Sequence, residues 1–202
     1  MDGHVRLSRI GAVAAGTSMS FLIRNPRSQM GQRKSCLRCD SQRMDQTHGP
    51  TDGMFLTTEE QEAVHAALVS SGADRWAGGQ PCTFHSLLAR WGGEVSGVEE
   101  GYSWCAPELD NDIWCRSALA RVWPLLPPRV QSEWQPRLHD LDERFRAATI
   151  QWPGRGDDEG DWWMWRIPRL LEAEAGDPCE RGWPSGWDMV PFPKPDSVQV
   201  IV

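Results

Sequence analysis

Apolar residues recur at three- and four-residue spacing through the middle of the chain, a period that predicts helices rather than strands. Thr57 and Glu60 form a capping-box pair behind Met54-Phe55-Leu56, so a first helix is expected over 58–70. Val64, Ala67 and Leu68 face inward there, and Gly72 stops it. The second helix has the clearest stripe, with Phe84, Leu87, Leu88, Trp91, Val95, Val98 and Tyr102 on one face. Gly92 and Gly93 lie off that stripe and weaken the helix by about 1 kcal/mol each relative to alanine. A third helix begins after Pro107, a favourable first-turn residue, and carries Leu109, Ile113, Ala120 and Trp123 on one side. Pro127-Pro128 opens a fourth, in which Val130, Trp134, Leu138, Leu141 and Phe145 repeat. Pro136 should bend that helix or mark a late start.

Beyond an acidic, glycine-rich loop from Gly154 to Asp161, the run Trp162 to Ile167 and the stretch Arg169 to Ala175 read as two short helical pieces broken at Pro168. Five prolines between 178 and 195 make the remainder an extended, irregular tail, in which 198–202 has the composition of a short strand. Residues 1–53 show no sustained period and few large apolar groups, and too little surface can be buried there to offset ordering entropy. The expected architecture is all-α: a compact bundle of four or five helices over about 54–175, a disordered basic leader over 1–53, and a tail over 176–202. The change at Met54 also suggests that residue as the initiator, with the leader as upstream sequence.

Charge sharpens this division. Residues 1–53 hold eight basic and four acidic side chains, whereas 54–202 hold thirteen basic against twenty-four acidic. An acidic body repels phosphate backbones, so nucleic acid is excluded as a partner and a basic protein surface is favoured. No run is long and apolar enough for a membrane span. The segment Ile10 to Ile23 follows two arginines, but glycines and hydroxyl residues dilute it and no small-residue cleavage site follows. Six scattered cysteines form no disulfide framework, which suits a reducing compartment, and the cytoplasm is expected.

Candidate chemistry is sparse. Cys36-x-x-Cys39 is half of a zinc site, with His48, Cys82 and His85 as imaginable partners, but four ligands must be held together and the first pair lies in the leader. His139-Asp140 matches the metal dipeptide of HD-type phosphohydrolases, with His85, Asp157 and Asp158 as further candidates. On the fourth helix, however, both project away from the apolar stripe. Neither a metal nor a cofactor is expected. A more suggestive group is Asp110-Asn111-Asp112 with Arg116, because Asp112 and Arg116 project onto the core face and stand four residues apart. Together with Tyr102, Asp142 and Arg144 these residues form a candidate polar cluster. A register-fixing ion-pair network is favoured over a carboxylate site for a cation or for acid–base chemistry, and no catalytic residue is assigned.

Twelve tryptophans are unusual for this length. Trp91, Trp123 and Trp134 sit on core stripes, but in a helix the run 162–165 cannot all point inward, since successive residues turn by about 100°. Trp162, Trp163, Trp165 and Arg166 are therefore candidate partner contacts. Over about residues 84–171 the chain resembles a set of small, uncharacterised, Trp-rich helical bacterial proteins. The resemblance rests on Tyr102, Asn111-Asp112-Ile113, Arg116, Leu141 to Phe145 and the Trp162 to Pro168 run; it implies a single domain and no known activity.

The function expected from these features is a non-catalytic protein-interaction module, of the kind that serves as an immunity-type inhibitor of a basic partner. A small metal-dependent hydrolase using Asp110, Asp112 and Asp142 is the alternative. A sugar-binding module would rest on tryptophan alone.

Overall fold

The computed structural model describes residues 55–76, 79–154, 160–177 and 181–202. The leader, with Cys36, Cys39 and His48, lies outside the described residues, as do Asp157 and Asp158. Helix α1 spans Thr58–Ser71, and its start is the expected capping box: Thr57 and Glu60 each accept a hydrogen bond from the other's backbone N–H. Gly72, in the left-handed region at φ 68°, ends it. Helix α2, Phe84–Glu100, buries Phe84, Leu87, Leu88, Trp91, Val95 and Val98 as the stripe requires. It stops at Gly101, so Tyr102 leaves the helix and pairs by backbone with Leu171 instead.

The third expected helix is two. Helix α3, Ala106–Asp112, and helix α4, Trp114–Val122, are separated at Ile113, where ψ of 3° breaks the helical path. A 3₁₀ turn over Trp123–Leu125 follows. Helix α5, Pro128–Ala148, runs unbroken through Pro136. Pro136 and Ser132 are exposed, so water can satisfy the carbonyl deprived of its amide donor.

The all-α expectation is overturned after α5. Strand β1 (Thr149–Gln151) pairs antiparallel with β2 (Arg166–Pro168), and β3 (Leu170–Glu172) pairs parallel with β4 (Gln199–Ile201). Five α-helices thus stand with two small two-stranded sheets among the described residues. The expected helical pieces are absent: Trp162–Trp165 is a 3₁₀ turn, Arg166–Pro168 and Leu170–Glu172 are strands, and 173–175 is irregular. Pro168 offers no amide for a helix, and every position of β2 is buried, which an extended segment covered on both faces satisfies and one helical stripe does not. The partners that fix these strands come from distant sequence, beyond the reach of local periodicity.

The tail boundary at 175 also needs correction, since the compact unit runs to Val202. Trp183, Trp187, Val190 and Val198 are buried in the same core as α2, α4 and α5. The Trp187 indole donates to the Trp104 carbonyl (2.9 Å), and the Ala106 amide donates to the Gly186 carbonyl (3.0 Å). Gly186, at φ 81°, lies so close to Cys105 that a Cβ there would be 2.5 Å from the Cys105 Cβ.

Candidate functional site

The polar residues singled out by sequence divide into an inner cluster, an outer cleft and a surface pair. The inner cluster centres on Asp142, which α5 places opposite α4 and α2. Arg116 donates from Nε and Nη2 to the two carboxylate oxygens at 2.7 and 2.8 Å, and Trp91 Nε1 donates to Oδ1 at 3.1 Å. The side chains of Arg116 and Asp142 are only 9% and 11% exposed. The Arg116 guanidinium also lies 4.2 Å from the Trp163 ring centroid, and Trp163 in turn donates to Ser117 Oγ at 2.9 Å. Every N–H and lone pair in such a cluster needs a partner to offset desolvation, and no buried side-chain nitrogen or oxygen among the described residues lacks one.

The expected Asp112–Arg116 pair within one helix does not form. The break at Ile113 puts the two residues on different helices, α3 and α4, and each takes a different partner. Asp112 instead accepts from the Tyr102 hydroxyl at 2.9 Å and from Arg90 Nη2 at 3.3 Å, and Arg90 also meets Glu94 at 2.5 Å. Arg144 does not join either group; it forks onto Glu99 across the α2–α5 surface and also reaches Ser96. His139 and Asp140 are exposed, as their projection on the helix required.

Asp112 and Arg90 stand at the junction of two openings. The larger, about 700 Å³, is lined by Trp76, Trp114, Asp110 and Asn111 together with Arg75 and Arg90. The smaller, about 280 Å³, lies toward Glu94, Tyr102 and Trp104. The Trp76 and Trp114 rings are 5.5 Å apart and tilted by 53°. Asn111 donates to Glu108 at 3.3 Å. Electrostatics along the cleft follow from partial burial. The Glu94 carboxyl is pushed up to about 7 because burial disfavours its charge and Asp112 adds repulsion, with Arg90 opposing. Partial desolvation in the cleft likewise raises Asp110, although the residue as a whole is exposed. The Tyr102 hydroxyl is raised by burial and by its bond to Asp112, so it remains a neutral donor. Burial pushes the Cys115 thiol up to about 12 and leaves it unreactive at neutral pH.

The tryptophan run is packed rather than presented. Trp162 and Trp163 are buried, Trp165 is half-buried, and Arg166 is buried with its Nε donating to Thr149 Oγ1 at 2.7 Å and Nη2 to the Arg146 carbonyl at 3.1 Å. An exposed member is required only of an α-helix, and the segment is instead a 3₁₀ turn followed by a strand. The exposed tryptophan is Trp104, at 60%. The cleft also holds residues that the sequence pattern does not single out, among them Arg75, Trp76, Arg90, Glu94 and Trp114. Arg90 and Glu94 form an i,i+4 pair off the apolar stripe of α2, and that pairing was a usable signal. Trp91, on the core stripe of α2, also serves as a donor, and its partner Asp142 stands 51 residues away in sequence, beyond any local signal.

Among the described residues no group of three or more His, Cys, Asp or Glu side chains is placed to hold a metal ion. No described helix is long and apolar enough to cross a membrane. No known protein family, curated protein or solved structure matches the chain.

Proposed function

We propose that this chain is a non-catalytic interaction protein that binds a basic protein partner, as an immunity-type inhibitor covers its target, and that it does so in the cytoplasm. The observation that carries the reading is the division of the carboxylates. Asp142 is held internally by Arg116 and Trp91, while Asp110 and Asp112 line an open cleft that Trp76 and Trp114 also line. A hydrolase using all three acids needs them around one cavity, and they stand apart. Aromatic rings beside carboxylates are instead the makings of a contact centre for cationic side chains. The excess of acid over base in 54–202 supplies long-range attraction for such a partner. The free thiols of Cys82, Cys105 and Cys115 suit a reducing compartment.

The test is co-purification with the products of the genes flanking its own, repeated at two ionic strengths. A basic partner is expected, with affinity falling at least tenfold between about 50 and 200 mM salt. A tight complex with an acidic partner that ignores salt would refute the reading. Metal supplies the second arm. Millimolar magnesium or manganese should leave the melting temperature unchanged, whereas a saturable rise abolished by Asp112→Asn would favour the hydrolase.

A further inference from the structure

The lining of the larger cleft is unevenly matched. Arg90 already has two carboxylates, Glu94 at 2.5 Å and Asp112 at 3.3 Å. Arg75 has Asp74 at 3.7 Å and donates to the Gly79 carbonyl at 3.0 Å. Both oxygens of Asp112 are engaged, by Arg90 and by Tyr102. Asp110 is the remaining charge, a carboxylate with no ion-pair or hydrogen-bond partner among the described residues, beside two half-buried indoles. What complements one unmatched carboxylate in an opening that two indoles also line is a cation that is flat, weakly hydrated and able to stack. A guanidinium meets all three conditions, since it forks onto a carboxylate and lies against a ring. An ammonium is compact and strongly hydrated and gains less from the same walls. The opening, about 700 Å³, has room for the side-chain stem and some of the backbone that carries it.

We propose that the cleft lined by Trp76, Trp114 and Asp110 receives an arginine side chain of the partner. This rests on the interaction reading above and specifies the contact at its centre. The same geometry sets the division of labour: Asp110 takes the guanidinium N–H groups, the indoles cover its face, and the Arg90–Asp112–Tyr102 chain holds the floor in place.

The test uses the full chain, a short capped peptide containing one arginine, and matched peptides with lysine or citrulline in its place. Indole N–H resonances are followed by NMR and assigned with Trp76→Phe and Trp114→Phe. The arginine peptide is expected to move the Trp76 and Trp114 signals saturably at millimolar concentration. The lysine peptide should bind about tenfold more weakly and the citrulline peptide not at all, because citrulline keeps the shape and loses the charge. Asp110→Asn should weaken the arginine peptide about tenfold while leaving the rest of the spectrum unchanged. Equal binding of lysine or citrulline, or no movement of either indole at roughly 20 mM peptide, would overturn the assignment. A salt-sensitive partner complex that survives Asp110→Asn would overturn the arginine site and leave the interaction reading standing. Arginine-peptide binding without any basic partner would do the reverse.

Discussion

Truncating Asp142 to alanine should be among the most damaging single substitutions in this protein. Its carboxylate accepts three hydrogen bonds, two from Arg116 and one from the Trp91 indole, inside the contact between α2, α4 and α5. Removing it strands a guanidinium that is almost wholly out of water and an indole N–H with no acceptor. Breaking a buried pair in this way costs about 3–5 kcal/mol. In a domain of this size that corresponds to a fall in melting temperature of about 10 °C. Arg116→Ala should cost a similar amount, because it strands the carboxylate and also removes the guanidinium from the Trp163 face. The double variant Arg116→Met/Asp142→Leu should recover most of either loss, since two apolar side chains need no compensation for desolvation. The assay is urea unfolding followed by tryptophan fluorescence, with wild type, Arg116→Ala, Asp142→Ala and Arg116→Ala/Asp142→Ala forming a double-mutant cycle and Arg116→Met/Asp142→Leu measured beside it. A parallel cycle on Asp112 and Arg116 should be additive, because those residues answer to different partners. Losses below about 1 kcal/mol for Asp142→Ala, or strong coupling between Asp112 and Arg116, would refute this account of the core.

Three further outcomes follow from the same structure. Gly186→Ala should destabilise by about 2 kcal/mol or more in thermal melts, because it combines a left-handed backbone with a clash against Cys105; a neutral result would place the 183–190 segment elsewhere. Glu94 holds its proton more tightly when folded, at about 7 against an ordinary 4.5, so its contribution is full below 4.5 and is lost as pH rises toward 7. Glu94→Gln should therefore flatten that part of the stability–pH curve, and melts between pH 4.5 and 8 would detect an unchanged slope. Deleting 176–202 should abolish cooperative unfolding, and Trp183→Ala alone should cost about 3–5 kcal/mol, since that indole is fully buried and donates to the Phe192 carbonyl at 2.7 Å; a truncated chain that melts normally would restore the tail as an appendage.

Helix starts and inward faces were legible without a fold wherever they depend on neighbours in sequence. Thr57 and Glu60 cap α1 because they are three residues apart, and the α2 stripe is buried because its spacing matches the helical period. The acidity of the body, and with it the kind of partner proposed, is likewise a property of composition. Tertiary structure decided everything that depends on residues brought from afar. Arg116 took Asp142 on α5 rather than Asp112, from which the break at Ile113 separates its helix. The tryptophan run became a turn and a strand because β1 offered backbone partners, and the C-terminal residues joined the core because β3 offered an edge. The cleft that Asp110 lines with Trp76 and Trp114 exists only when a loop, α2, α3 and α4 meet, and no periodicity along one element reports a cavity formed by four.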